Sequence, residues 1–147
     1  MMSVTYDVIE NGTVVLEYWS GQVTGEDLVT HEKQHLTDPR IMPGASVLVE
    51  ARQAYFGITT EEAGDLVNGL YALYRQPLKI KKCALLVNDL TYPLARAYEK
   101  SGAKHGISVI AFHALDVACP WLGLDTKLVA SHLEKIRKAH TAPPQNT

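Results

Sequence analysis

The first part of the chain carries the pattern of a β-hairpin. Residues 4–9 and 13–19 are rich in β-branched and aromatic side chains, and they flank the dipeptide Asn11-Gly12. Asparagine followed by glycine between two β-prone runs is a strong short-range signal for two antiparallel strands. The sequence therefore predicts paired strands over about 4–9 and 13–19.

Three later runs are apolar without alternation. Residues 45–50, 82–87 and 107–112 each contain consecutive aliphatic side chains. Continuous apolar runs of this length are typical of strands that are covered on both faces, as in a parallel sheet. We therefore expect buried strands over 45–50 and 82–87, and a last strand over 107–112.

Helix signals lie between and after these strands. A hydroxyl or carboxylate side chain at the start of a helix accepts a hydrogen bond from a free backbone N–H group. Asp38-Pro39 is expected to end the first helix, because proline disfavours a helical residue before it, and Ser101-Gly102 is expected to close the third. Trp121, in a short helix predicted over 115–122, is expected to anchor the core. The predicted caps are Thr24, Thr59, Thr91 and Asp125.

The resulting order of elements is ββαβαβαβα. Strands that alternate with helices indicate an α/β fold with a largely parallel sheet and right-handed connections, and the first hairpin adds an antiparallel edge. We expect one domain over residues 1–140. The last residues, 141–147, lack apolar content and are predicted to form a disordered tail.

Composition narrows the class of protein. The chain has 147 residues, of which 46% are hydrophobic, and these values suit one folded domain. Its 14 basic and 16 acidic residues give a net charge of −2, which argues against nucleic acid as a partner. We expect no signal peptide and no transmembrane segment. The distant Cys83 and Cys119 form no metal or redox motif, so a reducing cytoplasmic location is expected.

Three short stretches resemble SpoIIAA-like proteins, the group related to STAS and lipid-binding SEC14-like domains. These stretches are residues 47–52 (VLVEAR), residues 110–122 (IAFHALDVACPWL), and residues 21–24 (GQVT) followed by Asp38-Pro39. The resemblance spans roughly residues 4–124 and rests on the order of the elements together with these motifs. It implies a SpoIIAA-like βα superhelix, in which a mostly parallel five-stranded sheet has an N-terminal antiparallel hairpin and flanking helices.

The resemblance also implies a function in binding or regulation without catalytic machinery. The expected partner is a small anionic or lipid-like ligand or another protein, both of unknown identity, and a homodimer remains open. Some STAS proteins carry a phosphorylated serine before the second main helix, in a context like Asp-Ser-Ser-Gly. This chain has Gly57-Ile58-Thr59-Thr60 there, which argues against a phosphorylation switch.

One motif favours an enzyme instead. His31-Glu32-Lys33-Gln34-His35 matches the H-E-x-x-H pattern of zinc metallopeptidases, in which two histidines on one helix face bind the metal and the glutamate is the general base. A third ligand is required, and its candidates lie on separate elements. We therefore interpret the two histidines as a surface pair on the flank of the helix, with no metal and no cofactor, and keep the metallopeptidase as the alternative. The candidate third ligands are Glu50, Glu61 and Glu62.

A second candidate site follows from the topology. Ligands of open α/β sheets bind beyond the carboxyl ends of the strands, where helix N-termini also favour anions. The opposing interpretation is that Glu50 and Arg52 form a structural ion pair and that the two threonines only cap helices. The candidate ligand-binding residues at this rim are Glu50, Arg52, Thr59, Asn88, Thr91 and His113.

Overall fold

A five-stranded sheet forms the centre of the computed structural model, which describes residues 4–57, 59–73 and 80–141. The strands follow one another across the sheet in chain order. The first pair is antiparallel and the other three pairs are parallel, as predicted. The strands are β1 (Val4–Ile9), β2 (Val14–Val23), β3 (Ala45–Phe56), β4 (Ile80–Leu86) and β5 (Ser108–Phe112).

Helices cover both faces of the sheet. The larger apolar core lies between the sheet and the first three helices, and a second core lies under the last two. A strand covered on both sides needs apolar residues at every position, which explains the unbroken apolar runs of β3 and β4. The helices are α1 (Gly25–Thr37), α2 (Thr60–Leu73), α3 (Tyr92–Lys104), α4 (Leu115–Leu122) and α5 (Thr126–Thr141).

The Asn11-Gly12 hairpin is confirmed. A short turn over Glu10–Gly12 joins β1 to β2, with positive φ angles of 55° at Asn11 and 89° at Gly12. A Cβ atom at Gly12 would lie 2.2 Å from the carbonyl oxygen of Arg40. This turn therefore requires glycine both for its backbone conformation and for the close approach of the segment after α1.

Three of the four predicted caps make the expected hydrogen bonds. Thr24 accepts from the Asp27 amide, and the Asp27 side chain accepts from the Thr24 amide, which completes a capping box. Thr59 Oγ1 and Asp125 Oδ1 each accept from a backbone amide in the first turn of their helices. Thr91 was predicted wrongly as a side-chain cap, because its hydroxyl accepts from the Asn88 amide instead.

The predicted end of α3 at Ser101-Gly102 is also wrong, because the helix continues to Lys104. Gly102 serves the packing of the helix against β5. A Cβ atom there would lie 2.7 Å from Cγ2 of Val109 and 3.0 Å from the carbonyl oxygen of Ile107. Gly102 therefore marks a position inside α3 where the helix packs closely on β5, and it does not mark the end of the helix.

The fully buried tryptophan is not the one that the sequence indicated. Trp121 is half-buried and packs on Phe112, with Lys82 Nζ 5.1 Å from the centre of its ring. Trp19 on β2 is only 4% exposed and lies in the larger core. Trp121 thus packs at the edge of the smaller core, whereas Trp19 lies inside the larger one.

The structure also bears on the predicted C-terminal tail and on the expected absence of a transmembrane segment. Helix α5 reaches Thr141, and residues 142–147 of the predicted tail lie outside the described residues. Among the described helices, none is long and apolar enough to cross a bilayer.

Candidate functional site

The central group of the first candidate site is the buried carboxylate of Glu17 on β2. Side chains alternate between the two faces of a strand, so Val15, Glu17 and Trp19 of β2 all point toward the core under α1. Glu17 is 3% exposed. Its Oε1 accepts a 2.9 Å hydrogen bond from Nε1 of Trp19. The carboxylate is therefore held in a fixed orientation inside the protein.

The two histidines of the H-E-x-x-H motif converge on this carboxylate. His31 Nε2 lies 2.9 Å from Glu17 Oε1, and His35 Nε2 lies 3.4 Å from Glu17 Oε2. Each histidine is 4% exposed, so the predicted surface pair is wrong. Residues four apart share a helix face, and in α1 that face is the one that meets the sheet.

An aromatic ring closes the outer side of the cluster. The ring of Tyr6 on β1 meets the His31 and His35 rings edge-on, with centroid distances of 5.7 and 5.2 Å. The Tyr6 hydroxyl donates a 2.7 Å hydrogen bond to Asp38. Within the described part of the chain, Nδ1 of His31 is buried without a hydrogen-bond partner. These contacts leave the Nε2 atoms of both rings directed at Glu17.

The charges in the cluster are strongly coupled. Burial alone would raise the pKa of Glu17, but His31, His35 and the indole of Trp19 outweigh it and lower that pKa to about 2. Burial opposes a charged His31, yet Glu17 raises the pKa of that imidazole to about 8. Without a bound ion, the buried carboxylate is thus balanced at neutral pH by a proton on an imidazole.

The glutamate of the motif borders a small internal cavity beside the cluster. The cavity has a volume of about 50 Å³, and its wall includes Glu17, Glu32, His35 and Cys83 among mostly aliphatic residues. Burial raises the pKa of Glu32 to about 7, with His31 opposing the shift and Glu17 adding to it. This volume accommodates water molecules but no peptide, so the geometry does not support the metallopeptidase alternative.

The second candidate site is an open groove on the opposite face of the sheet, between β2–β3 and α5. Its volume is about 780 Å³, within the range of small-molecule sites. Its apolar wall includes Leu115 and Leu133, while Tyr18 and Ser20 come from β2. His140 of α5 lies across one end, with Nε2 2.8 Å from the Ser20 hydroxyl. The full lining is Tyr18, Ser20, Glu50, Arg52, Gln53, Leu115, Ala130, Leu133, Glu134 and Arg137.

Two ion pairs face this groove. On β3, Arg52 binds Glu50 through Nε and Nη2, with an Nη2–Oε2 distance of 2.6 Å. On α5, Arg137 pairs with Glu134. The Arg52 side chain is 38% exposed against 10% for that of Glu50, so the guanidinium is the part of its pair that faces solvent.

The structure places the six predicted rim residues in different surroundings. Asn88 Nδ2 donates to the carbonyl oxygen of Arg52, and the Asn88 backbone amide donates to Thr91 Oγ1. Asn88 and Thr91 thus support the turn after β4, and Thr91 is only 1% exposed. His113 stacks on Tyr92 with a centroid distance of 5.6 Å. Among the predicted six, only Glu50 and Arg52 line the groove.

Sequence reasoning missed several site residues. Glu17 has a signal, because it is a charged residue at an inward position of an otherwise apolar strand. Glu134 and Arg137 have a weaker one, since they lie three apart on the polar side of α5. No signal places Tyr18 in the groove, because that contact depends on how α5 crosses the sheet.

The fold is similar to that of a known structure. That structure is a crystal structure of an uncharacterised protein of the DUF3478 family with a SpoIIAA-like fold, from Shewanella loihica PV-4. The TM-score is 0.51 at 15% sequence identity, and the match covers 81% of this chain and 91% of that chain. The predicted SpoIIAA-like α/β fold is thereby confirmed, and at this identity the likeness shows the fold alone. No family model and no curated protein matches the chain.

Proposed function

We propose that the protein is a non-catalytic binding module that takes a small amphiphilic anion in the groove between β2–β3 and α5. The observation that carries this proposal is the position of Arg52, whose half-exposed guanidinium lies on the floor of a groove of about 780 Å³. A guanidinium has five N–H donors. Two of its nitrogens, Nε and Nη2, donate to Glu50, which leaves donors on Nη1 for a ligand.

The rest of the groove suits the apolar part of such a ligand. Leu115 and Leu133 supply an aliphatic wall, and Tyr18 supplies an aromatic surface. Binding sites of this kind combine an apolar lining with a few polar groups that fix the orientation of the ligand. A carboxylate or sulfonate with a hydrocarbon body therefore fits both parts of the groove.

Binding of anilinonaphthalene sulfonate, a fluorescent amphiphilic anion, tests the proposal. The double variant Glu50→Gln/Arg52→Gln removes both charges together and so leaves no unpaired buried carboxylate. A hydrogen bond to a charged group contributes about 1.5–3 kcal/mol, so Kd should rise about tenfold or more. The matched control is Arg96→Gln, which breaks the surface pair of Arg96 and Glu99 on α3 and should leave Kd unchanged. Equal affinity of the double variant and the control would refute the proposal.

A further inference from the structure

Three ligand atoms in the interior meet at the spacing of a metal site. One oxygen of Glu17 and one nitrogen each of His31 and His35 all lie within 4.8 Å of one another. Zinc–ligand bonds of about 2.0–2.2 Å in a tetrahedron place neighbouring ligand atoms about 3.3 Å apart. Glu17 Oε1 lies 2.9 Å from His31 Nε2, and the other oxygen, Oε2, lies 3.4 Å from His35 Nε2, so both imidazoles are already close to that separation from the carboxylate. Small side-chain shifts would therefore admit an ion.

The elements that carry these ligands hold them in place. His31 and His35 stand four apart on α1, so both imidazoles project from one face of the helix. Trp19 Nε1 donates to the Glu17 carboxylate, and such a hydrogen bond from an outer residue orients a metal ligand. Tyr6 confines both imidazole rings from the side of β1. The site is thus preorganised by β1, β2 and α1.

The cavity offers room for a fourth ligand. Glu17 and His35 both border the cavity of about 50 Å³, which is large enough for a water molecule. Glu32 borders the same cavity. The Glu17 carboxylate offsets one charge of a divalent cation, and an ionised Glu32 at the same cavity would offset the other, which lowers the cost of burying the ion.

We propose that Glu17, His31 and His35 bind one divalent transition-metal ion of the zinc class, with a water molecule in the fourth position. Two nitrogen ligands and one carboxylate suit Zn²⁺, whereas Ca²⁺ and Mg²⁺ prefer sites built from oxygen ligands. The ion ties α1 to β2 in the interior. Glu17 on β2 is the third ligand that the motif requires, in place of the predicted candidates Glu50, Glu61 and Glu62.

Titration of the metal-free protein with Co²⁺ and Zn²⁺ tests this site. The wild-type protein should take up about one ion per chain. Co²⁺ should give the intense visible absorption of a tetrahedral complex, and added Zn²⁺ should remove that absorption and raise the melting temperature. These measurements need no variant. Failure to bind close to one ion, or an octahedral Co²⁺ spectrum, would overturn the proposal.

Two variants locate the ion. Glu17→Gln should weaken zinc binding by about tenfold or more, because it removes a charged ligand but preserves the shape of the side chain. His132→Gln, on the half-exposed surface of α5, should bind zinc as the wild type does. Circular dichroism checks that both variants are folded. An unchanged zinc Kd in a folded Glu17→Gln protein, or a weakened one in His132→Gln, would place the ion elsewhere.

Discussion

Trp19 and Glu17 are joined by a hydrogen bond of 2.9 Å between the indole Nε1 and the carboxylate Oε1, although they lie on the same strand. Both side chains point to the same face because they are two residues apart. The largest side chain in the core of β2 thereby orients the carboxylate that faces His31. The packing of Trp19 in the core and the orientation of Glu17 toward His31 therefore depend on each other through β2.

We expect Trp19→Phe to reduce the free energy of unfolding by about 1.5–3 kcal/mol, the usual contribution of a hydrogen bond to a charged group. Phenylalanine keeps an aromatic ring in the core but is smaller than tryptophan, so lost packing adds to the loss of the hydrogen bond. Urea denaturation at neutral pH measures the difference. Trp121→Phe is the control, because Trp121 is half-buried at the edge of the smaller core and should cost less. A Trp19→Phe protein as stable as the wild type would show that the indole hydrogen bond contributes nothing.

Two glycine substitutions should have opposite effects. Gly102→Ala places a Cβ atom 2.7 Å from Cγ2 of Val109, and we expect it to destabilise the protein by about 1–3 kcal/mol, as overpacking does. Gly69 on α2 has no atom within 4 Å of its Cβ position. Gly69→Ala should therefore stabilise the protein by up to about 1 kcal/mol through helix propensity. Thermal unfolding of both variants distinguishes close packing from propensity, and a stabilised Gly102→Ala protein would contradict the α3–β5 contact.

Stability should fall in acid through Asp38. The Arg40 guanidinium and the Tyr6 hydroxyl donate to Asp38, and the hydrogen bonds from Arg40 hold the pKa of this carboxyl well below its ordinary value. Its contribution is therefore complete above the ordinary aspartate pKa of about 3.9 and is lost as the pH falls toward the lower folded value.

The variant that tests this is Asp38→Asn. It should be less stable than the wild type at about pH 7. The gap should narrow at about pH 3, because below the ordinary aspartate pKa the unfolded wild-type chain takes up a proton at Asp38 that the folded protein does not. Asp65→Asn, at an exposed position of α2, is the control and should follow the wild type at both values. A gap between Asp38→Asn and the wild type that does not change with pH would rule out titration of Asp38 as its origin.

Glu50→Gln should strengthen the binding of anions in the groove. Glu50 competes with a ligand for the guanidinium of Arg52. Glutamine at position 50 has the same shape but no charge, so it should compete less. We expect the Kd for anilinonaphthalene sulfonate to fall by about tenfold, the change that corresponds to about 1.4 kcal/mol. Unchanged or weaker binding would mean that Arg52 does not meet the anion.

Local signals in the sequence were sufficient for most of the fold. The Asn11-Gly12 turn and the Thr24–Asp27 capping box depend on residues close in the chain, so their hydrogen bonds could be predicted. Gly102 misled because a glycine near the end of a helix also serves close packing, and that requirement comes from β5, which the helix sequence does not encode.

The sites were less predictable because they join distant elements. The pairing of Glu50 with Arg52 was foreseen as one interpretation, since the two residues are two apart on one strand. The predicted third ligands Glu50, Glu61 and Glu62 all follow the motif in the chain, whereas Glu17 precedes it on β2. Only the packing of α1 across β2 brings these groups together, and no spacing within the sequence expresses it.

The most direct test of the binding function is to map the amide resonances of the labelled protein during a titration with dodecanoate, a simple amphiphilic carboxylate. The proposal predicts saturable shifts centred on the groove, at Ser20 of β2, Gln53 of β3 and Leu133 of α5, and their loss in Glu50→Gln/Arg52→Gln. Shifts centred instead on the α1 face of the sheet, or no saturable shifts at all, would contradict it.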